Sequence, residues 1–343
     1  MQWLLPTLIC LATFFTFAHF SKAHPIGTFA TETDFYHLFA PDADRLSAGQ
    51  FPQNDFQGPG YPALIALVTQ LTGDTFIAGK WVSIISAAII SLLVFVLFAR
   101  LFGYWIGIGA ALLWAVAPEI PQFSIGATTD INFLVLCLAA LCVFTSRRLP
   151  ANWRVILTGI IVSLGYLSRY NGLFLLVTFL FAILALNIFE RAWKDRAILA
   201  GLFIAAFLIT ASPWLYANYK HNGSPFYNAN YLNIATEFYP ELVNGNVFQD
   251  GTRPLREKFH SFGDVLLYNP KRIAMHYPAN LYESFINSIK ENLVAPIIGV
   301  LGLIGFALAL WLKRENKAVL TMLTAFILYF LLMGLSHWEA RYY

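Results

Sequence analysis

The feature that most constrains this chain of 343 residues is a succession of long apolar runs separated by short links that carry arginine and lysine. Hydrophobic residues make up 58% of the chain and charged residues only 12%, which leaves too little polar surface for a soluble protein of this length. Runs of bilayer length are typical of membrane-spanning helices. Nine spans are predicted, near residues 3–20, 77–98, 102–118, 127–145, 154–168, 172–189, 197–213, 293–312 and 318–335. The sequence therefore predicts an all-α, polytopic membrane protein.

Two of these runs need interpretation. The first lacks the basic start and the small-residue cleavage site of a signal peptide, so we interpret it as a retained helix. The apolar stretch from Val155 to Phe189 is too long for one span and is interrupted by Ser168-Arg169-Tyr170-Asn171-Gly172. This interruption predicts two short helices joined by a tight turn.

Charge indicates which ends of the spans share one side of the membrane. Parity places Arg100 and three links between spans on the same side, and all of them are basic. The basic residues of the three links are Arg147, Arg148, Arg154, Arg191, Lys194, Arg196, Lys313, Arg314 and Lys317. A positive bias of this kind marks the cytoplasmic side. Of the nineteen acidic residues, all except Glu190, Asp195 and Glu315 fall in segments on the opposite side. Polar chemistry is therefore expected on the extracytoplasmic face.

The same parity defines the external segments. They are a first loop at 21–76, a short link near Glu119, the turn at Arg169, a long segment at 214–292 and the C-terminal tail. Within the first loop, the apolar stretch from Tyr61 to Leu71 follows Pro59-Gly60 and is too short to span. It is predicted to form a helix that lies in the membrane interface.

Several classes of partner and site are not indicated. The net charge is only +3 and the basic residues do not form one patch, so nucleic acid is not expected as a partner. Cys10, Cys137 and Cys142 lie within apolar runs, which argues against a disulfide framework. The histidines do not form a ligand pair at helical spacing, so no metal site is predicted.

Asp34 is the first candidate for chemistry. It lies a few residues beyond the first span with Tyr36 and His37, where its carboxylate could accept a proton from an acceptor hydroxyl. The alternative is that Asp34 only caps the following helix. Asp42, Asp44 and Asp55 are interpreted as solvated acids of the same loop.

Asp130 opens the fourth span after two threonines and faces the same side as Asp34. Two interpretations fit this position. Asp130 caps the helix, or its carboxylate orients a sugar hydroxyl or holds a divalent cation.

Arg169 and Arg341 lie at predicted outer membrane boundaries. A guanidinium suits a phosphate diester because it offers paired donors and a permanent charge. Contact with ordinary lipid headgroups is the alternative for both arginines, and Glu339 is a second potential partner of Arg341.

Several stretches occur in an order that resembles one superfamily. They are T-D-F-Y after the first span, A-x-x-L-S-A-G, G-P-G-Y-P, Ala127-Thr128-Thr129-Asp130, LSRYNGLFLL, SPWLYANYKHNGSPFYNANY and the closing EARYY. Together they resemble the GT-C integral membrane glycosyltransferases, in particular the family 39 group that contains protein O-mannosyltransferases and the lipid A aminoarabinose transferase. The resemblance implies a single GT-C-type domain over 1–343, with about nine transmembrane helices. It also implies that a C-terminal region of the family is missing after Tyr343.

The resemblance implies roles for the charged residues. Asp34 matches the catalytic base and Asp130 a second catalytic acid. Arg169 and Arg341 match basic residues near the donor phosphate, and Lys220 is a weaker candidate for the same role.

Phe35 stands where many members have a second acid, which favours transfer without a metal; no cofactor is required, and a divalent cation is not indicated. Tyr36, Tyr61 and Tyr170 flank the charged positions and are predicted to bind substrate. The implied protein lies in the cell (inner) membrane as a multi-pass enzyme whose site faces the periplasm or exterior.

The implied reaction moves a monosaccharide from a polyprenyl-phosphate donor to a hydroxyl of a glycan, lipid or protein. Such a donor already carries a good leaving group, and the chain has neither a P-loop nor a Rossmann glycine pattern for a nucleotide. Three alternatives remain: a transporter or flippase of lipid-linked sugars, a polysaccharide polymerase or ligase that uses a lipid-linked oligosaccharide, and a non-catalytic scaffold.

Overall fold

The computed structural model describes residues 3–25, 32, 34–117, 120–243, 252–290 and 295–336. Within these ranges the regular elements are helices or helical turns, without strands, so the predicted all-α class is confirmed. Three short turns accompany the α-helices: a π-helical turn at Phe35–Phe39 and 3-10 turns at Tyr170–Gly172 and Pro240–Leu242. The α-helices are α1 Leu4–Ser21, α2 Ala40–Ser47, α3 Gly60–Thr72, α4 Thr75–Phe102, α5 Tyr104–Val116, α6 Ile120–Ile125, α7 Thr129–Phe144, α8 Ala151–Ser168, α9 Leu173–Leu184, α10 Trp193–Asn222, α11 Tyr231–Phe238, α12 Arg253–Lys258, α13 Phe262–Tyr268, α14 Pro270–Lys290, α15 Ala295–Leu312 and α16 Lys317–Met333.

Apolar helices occupy all nine predicted span positions. Among the described residues, four helices are long and apolar enough to cross a bilayer, namely α1, α4, α8 and α10. The other five positions hold shorter apolar segments of 10–17 residues, of which the one in α15 is counted from Gly299 to Leu312. A short helix can still cross a membrane by local thinning or by its packing against neighbours.

Two long helices extend beyond the predicted ends. Helix α4 starts after Asp74, whose carboxylate accepts a hydrogen bond from the Ile77 amide at 2.7 Å. Helix α10 continues through Pro213 and ends at Gly223, where φ is +74°. Proline is tolerated inside such a helix because neighbouring groups satisfy the freed carbonyl, and the last two turns of α10 therefore project beyond the predicted outer boundary.

The predicted break between the fifth and sixth spans is confirmed. Helix α8 ends at Ser168, Arg169 is extended with φ −146° and ψ 125°, and a 3-10 turn leads into α9. Gly172 permits this turn, because a Cβ there would come within 3.0 Å of the Gly165 backbone. The break leaves Arg169 at the end of the bundle rather than inside a continuous helix.

The spans pack through small residues on facing helices. A Cβ at Gly159 of α8 would come within 2.6 Å of the Phe203 carbonyl of α10. A Cβ at Gly107 of α5 would come within 2.7 Å of Ala99 of α4. Close backbone approach of this kind is typical of helix pairs in membranes, and large apolar side chains such as Phe15 and Ile209 face outward.

The basic links meet at one end of the bundle. Lys317 donates to the Asn187 carbonyl at 3.0 Å, and Arg100 donates to the hydroxyl of Thr145 at 3.0 Å. The two external segments meet at the other end, where the Ala229 amide donates to the Asp55 carbonyl at 2.7 Å. The grouping of link ends predicted from parity is therefore found, whereas the side of the membrane that each end faces stays a prediction.

Candidate active site

A buried ion pair joins two of the predicted site residues. Arg169, between α8 and the 3-10 turn, donates to the carboxylate of Asp130 in the first turn of α7. The two side chains are 9% and 12% exposed, and Arg169 also donates to the Thr129 hydroxyl at 3.1 Å. Thr128 occupies the N-cap position and its side chain does not cap the helix. The carboxylate of Asp130 is therefore committed to Arg169 rather than to a capping bond.

The start of α7 is also held by an acid that the sequence did not single out. Glu32 is fully buried, pairs with His24 Nε2 at 2.9 Å, and accepts a hydrogen bond from the Ala127 amide at 2.9 Å. Its only sequence signal is its position two residues before Asp34. Glu32 fastens the first external loop to the helix that carries Asp130.

This contact joins the segment just before Asp34 to the start of α7. Phe35 is 1% exposed and packs near Gly79 of α4 and near Ala127, because a Cβ at Gly79 would meet both Ala127 at 2.7 Å and the Phe35 ring at 2.8 Å. Asp34 itself is half-buried and precedes the π-helical turn, which its side chain does not cap. Phe35, at the position of the second acid of relatives, is a core residue.

Two of the predicted substrate-binding tyrosines lie in the same loop. Tyr36 is half-buried, with its ring centroid 4.9 Å from that of His37. Tyr61 is 0% exposed and packs edge-on against Phe39 at 5.2 Å. Burial raises the pKa of Tyr61, and the charges of Asp130 and Glu32 raise this pKa further. Tyr61 is therefore held as a neutral phenol.

The G-P-G-Y-P motif seats this loop on the α8 terminus. A Cβ at Gly58 would lie 2.1 Å from the Leu167 carbonyl oxygen, and a Cβ at Gly60 would lie 2.9 Å from the Leu167 carbonyl carbon. Only glycine permits such an approach, because any side chain would collide with backbone. The motif thus places Tyr61 beside the Arg169 turn.

The remaining predicted residues have different surroundings. Tyr170 is buried and accepts a hydrogen bond from Trp214 Nε1 at 3.2 Å, on the side of a neighbouring cavity. Lys220 is exposed on α10 with its ammonium 5.6 Å from the Tyr216 ring centroid. Arg341 lies outside the described residues. The predicted phosphate and substrate contacts of these residues stay predictions.

The interpretation of the loop acids as solvated was wrong for two of the three. Asp42 is 2% exposed and accepts hydrogen bonds from the amides of Gln53 at 2.7 Å and Asn54 at 3.2 Å. Asp55 forms an ion pair with Arg256 at 2.8 Å. Only Asp44 is exposed. The loop folds back on itself and on the second external segment, which the local sequence does not indicate.

The site combines two kinds of chemistry. Two carboxylates of different exposure, those of Glu32 and Asp130, lie at the N-terminus of α7, where the helix dipole favours negative charge. A guanidinium, which is permanently charged, stands at the same place. In the described part of the chain, no group of three His, Cys, Asp or Glu side chains is placed to hold a metal ion. The arrangement is suited to proton transfer beside a stabilised anion.

A family comparison covers part of this site. Residues 56–216 match the family described as dolichyl-phosphate-mannose-protein mannosyltransferase. The match includes Tyr61, Asp130, Arg169 and Tyr170, whereas Asp34 precedes it. The resemblance to GT-C superfamily glycosyltransferases is thereby confirmed.

Comparison with solved structures finds the oligosaccharyltransferase of Archaeoglobus fulgidus, crystallised with zinc and sulfate. The identity is 14%, the TM-score is 0.49, and the alignment covers 92% of this chain and 48% of that one. This chain therefore spans about half the length of that protein. No curated protein matches the chain significantly.

Proposed function

We propose that this protein is a GT-C-type membrane glycosyltransferase that moves a monosaccharide from a polyprenyl-phosphate donor to an acceptor hydroxyl on the extracytoplasmic face. The observation that carries the proposal is the buried Asp130–Arg169 pair, within the segment similar to the mannosyltransferase family and beside the loop that bears Asp34. Charged side chains within an apolar bundle are costly, and they are found there as pairs that mark functional sites.

Asp34 is the general base of the proposed reaction. Its side chain is half-buried, whereas Glu32 is fully buried and holds the loop through His24 and Ala127. A base must be reachable by the acceptor hydroxyl, and this requirement favours Asp34 over its buried neighbour. Asp130 acts by orienting Arg169.

The proposed bond changes balance without a cofactor. The acceptor hydroxyl gives its proton to Asp34, and its oxygen forms a bond to the anomeric carbon of the sugar. The bond from that carbon to the phosphate oxygen breaks, and its electron pair leaves with the polyprenyl phosphate. Arg169 stabilises the negative charge that develops there, with Lys220 and Arg341 as further proposed contacts of the phosphate.

The partners follow from this reaction. The donor is a lipid-linked sugar, the acceptor is a glycan, lipid or protein, and the bilayer is the cell membrane. Tyr36, Tyr61 and Tyr170 are the proposed substrate-binding residues. The proposed sidedness rests on the positive bias of the opposite end.

The test uses membranes that contain the full chain and a radiolabelled polyprenyl-phosphate sugar. Asp34→Asn should lower transfer to acceptor by about 100-fold or more, because a general base contributes roughly that much. Asp44→Asn is the matched control, an exposed acid of the same loop, and should stay within about twofold of the parent.

Full transfer by the Asp34→Asn variant would contradict the proposal. Label that crosses the bilayer without transfer would indicate a flippase. Transfer only from a lipid-linked oligosaccharide would indicate a polymerase or ligase, and no label movement from any donor would favour a scaffold.

A further inference from the structure

We propose that a cavity beside the candidate active site binds a single, uncharged sugar ring. The cavity has a volume of about 350 Å³, at the small end of the range of ligand pockets, roughly 300–1,000 Å³. It lies between the loop segment 51–55, the outer end of α10 and Tyr170. Tyr170 directly follows Arg169 in the chain, so the cavity lies next to the turn that joins α8 and α9.

One wall of the cavity is a rigid aromatic stack. The Phe51 ring lies parallel to Trp214 at 5.1 Å and to His221 at 3.9 Å, between two side chains of the same helix. Trp214 is also fixed by its hydrogen bond to Tyr170. The stack therefore makes one wall of the cavity rigid.

A buried hydrogen-bond donor without a partner lies in the cavity wall. Asn54 is 9% exposed, and its Oδ1 accepts from the amides of Phe56 at 2.8 Å and Gln57 at 3.3 Å. Its Nδ2 has no hydrogen-bond partner among the described residues. A buried donor left unpaired costs about 1–3 kcal/mol. The Nδ2 atom is closed to solvent in this conformation, so a sugar hydroxyl reaches it by a rotation of the Asn54 side chain towards the cavity that it lines. This orphan donor is the observation that points to a polar ligand.

The loop that presents Asn54 is held in place before any ligand arrives. Asp42 accepts hydrogen bonds from the backbone amides of Gln53 and Asn54, and Arg45 Nε donates to the Phe51 carbonyl at 2.8 Å. A preorganised pocket loses less entropy on binding than a mobile one. Asp42 therefore stabilises the conformation of the loop that lines the cavity.

The rest of the lining offers both donors and acceptors, and its arginine, Arg45, lies near the Asp42 carboxylate. Asn222 donates to Asn218 Oδ1 at 2.7 Å, and the Tyr227 hydroxyl lies 3.5 Å from Asp55 Oδ2. The negative charge of Asp55 is balanced by Arg256, whose pKa is raised chiefly by its hydrogen bond to that carboxylate. Amides, a phenol and neutralised charges favour a hydroxyl-rich, uncharged ligand over an anion.

This inference rests on the proposed function for its biological source. The ring would belong to the transferred sugar of the lipid-linked donor or to the end of an acceptor glycan. Both sources present the same hydroxyls, and the two experiments below separate them.

The first experiment measures binding without catalysis. Saturation-transfer NMR on the full chain in detergent micelles would use the methyl glycosides of glucose, galactose, mannose and N-acetylglucosamine. At least one should give a signal that falls about fivefold or more in Asn222→Leu, which replaces a lining amide by a bulkier apolar side chain at an exposed helix position. Asn54→Asp, which keeps the Oδ1 acceptor and removes the donor, should have the same effect if it folds.

The matched control is Asn233→Leu, an exposed asparagine on α11 outside the cavity. This variant should bind as the parent does. Equal signals in the parent and Asn222→Leu, or no signal from any of the four glycosides, would overturn the proposal. Displacement of the glycoside by low millimolar inorganic phosphate would also overturn it, because the cavity would then be an anion site.

The second experiment identifies the source of the sugar. In the transfer assay, Asn222→Leu should raise one apparent KM by about tenfold with kcat little changed: the KM for acceptor if the cavity holds the acceptor, or the KM for donor if it holds the transferred sugar. Unchanged values of both would contradict a role in transfer. If the parent chain transfers no sugar, the proposed function fails, whereas the binding result still decides whether the cavity takes a sugar.

Discussion

The two ends of the bundle use arginine in different ways. At the end with the basic links, Arg100, Arg154 and Arg196 donate to the backbone carbonyls of Cys142, Phe144 and Leu184, at the C-terminal ends of α7 and α9. At the other end, Arg169 pairs with the Asp130 carboxylate in the first turn of α7.

Helix α7 shows what this difference means. Its C-terminus is bonded to cations and its N-terminus to carboxylates, as the helix dipole favours at both ends. Dipole complementarity accounts for the arginines at the basic end. It does not account for Arg169, which brings a cation to the positive end of a helix and needs Asp130 beside it. The additional charge at the outer end is therefore the better candidate for function.

The largest expected effect concerns the sides of the membrane that the two ends face. Asp44→Cys should react in intact cells with a maleimide that cannot cross membranes, whereas Arg314→Cys should react only after permeabilisation. Both positions are exposed, and the native Cys137 and Cys142 are buried. Labelling of the parent chain measures the background from the native cysteines. The reverse labelling pattern would show that the proposed orientation is wrong.

The next effect compares the two kinds of arginine. Arg169→Leu should lower the free energy of unfolding by about 3–5 kcal/mol, because it leaves the buried Asp130 carboxylate unpaired. Arg154→Leu should cost about 1 kcal/mol, because the Phe144 carbonyl loses a donor but no charge is left unpaired. Reversible SDS titration in mixed micelles measures both changes.

A double variant sharpens this comparison. Asp130→Leu combined with Arg169→Leu should recover part of the lost stability, because replacement of a whole buried ion pair costs less than removal of one partner. A double variant as unstable as Arg169→Leu alone would show that the pair is not the source of the difference.

A smaller effect is expected at the glycines of the first loop. Gly58→Ala should destabilise the protein by about 1–3 kcal/mol, because the added methyl group overlaps the Leu167 carbonyl. The control is Gly201→Ala towards the basic end of α10, where nothing lies within 4 Å of the new Cβ, and which should stabilise by up to about 1 kcal/mol. Thermal unfolding in detergent compares the two, and equal shifts would argue against the close contact.

The smallest effect is a pH dependence at the outer end. Burial raises the pKa of Asp42, despite hydrogen bonds from Gln53 and Asn54 and the nearby charge of Arg45. The folded protein therefore binds this proton more tightly than the unfolded chain, and stability falls as pH rises through the window between the unfolded pKa and the raised folded pKa.

Asp42→Asn should flatten that dependence and cost about 1 kcal/mol for one lost acceptor. Asp44→Asn, at the exposed acid two residues away, should leave the dependence in place. Stability measured as a function of pH for the parent and both variants checks the sign, and a rise in parental stability across the window would contradict it.

The spans were predictable because hydropathy is a local property. The break at Arg169 was predictable too, since two short apolar runs flank one charged turn. The continuation of α10 past Pro213 was missed, because a proline ends a helix only when nothing nearby satisfies the freed carbonyl. Glu32 and Asp42 were missed or misread for a related reason: whether a loop acid is solvated or buried depends on which distant backbone amides fold against it.

By itself, the order of apolar runs and charges determined an all-helical membrane protein with acidic residues gathered at one end, because each span must satisfy its own backbone within lipid. Only the tertiary structure decided which charges meet. Arg169 and Asp130 belong to different parts of the bundle, Glu32 bonds to the Ala127 amide 95 residues away, and the cavity near Asn54 needs three separate segments. Those contacts depend on helix packing and loop closure, which are set by the whole molecule rather than by any local pattern.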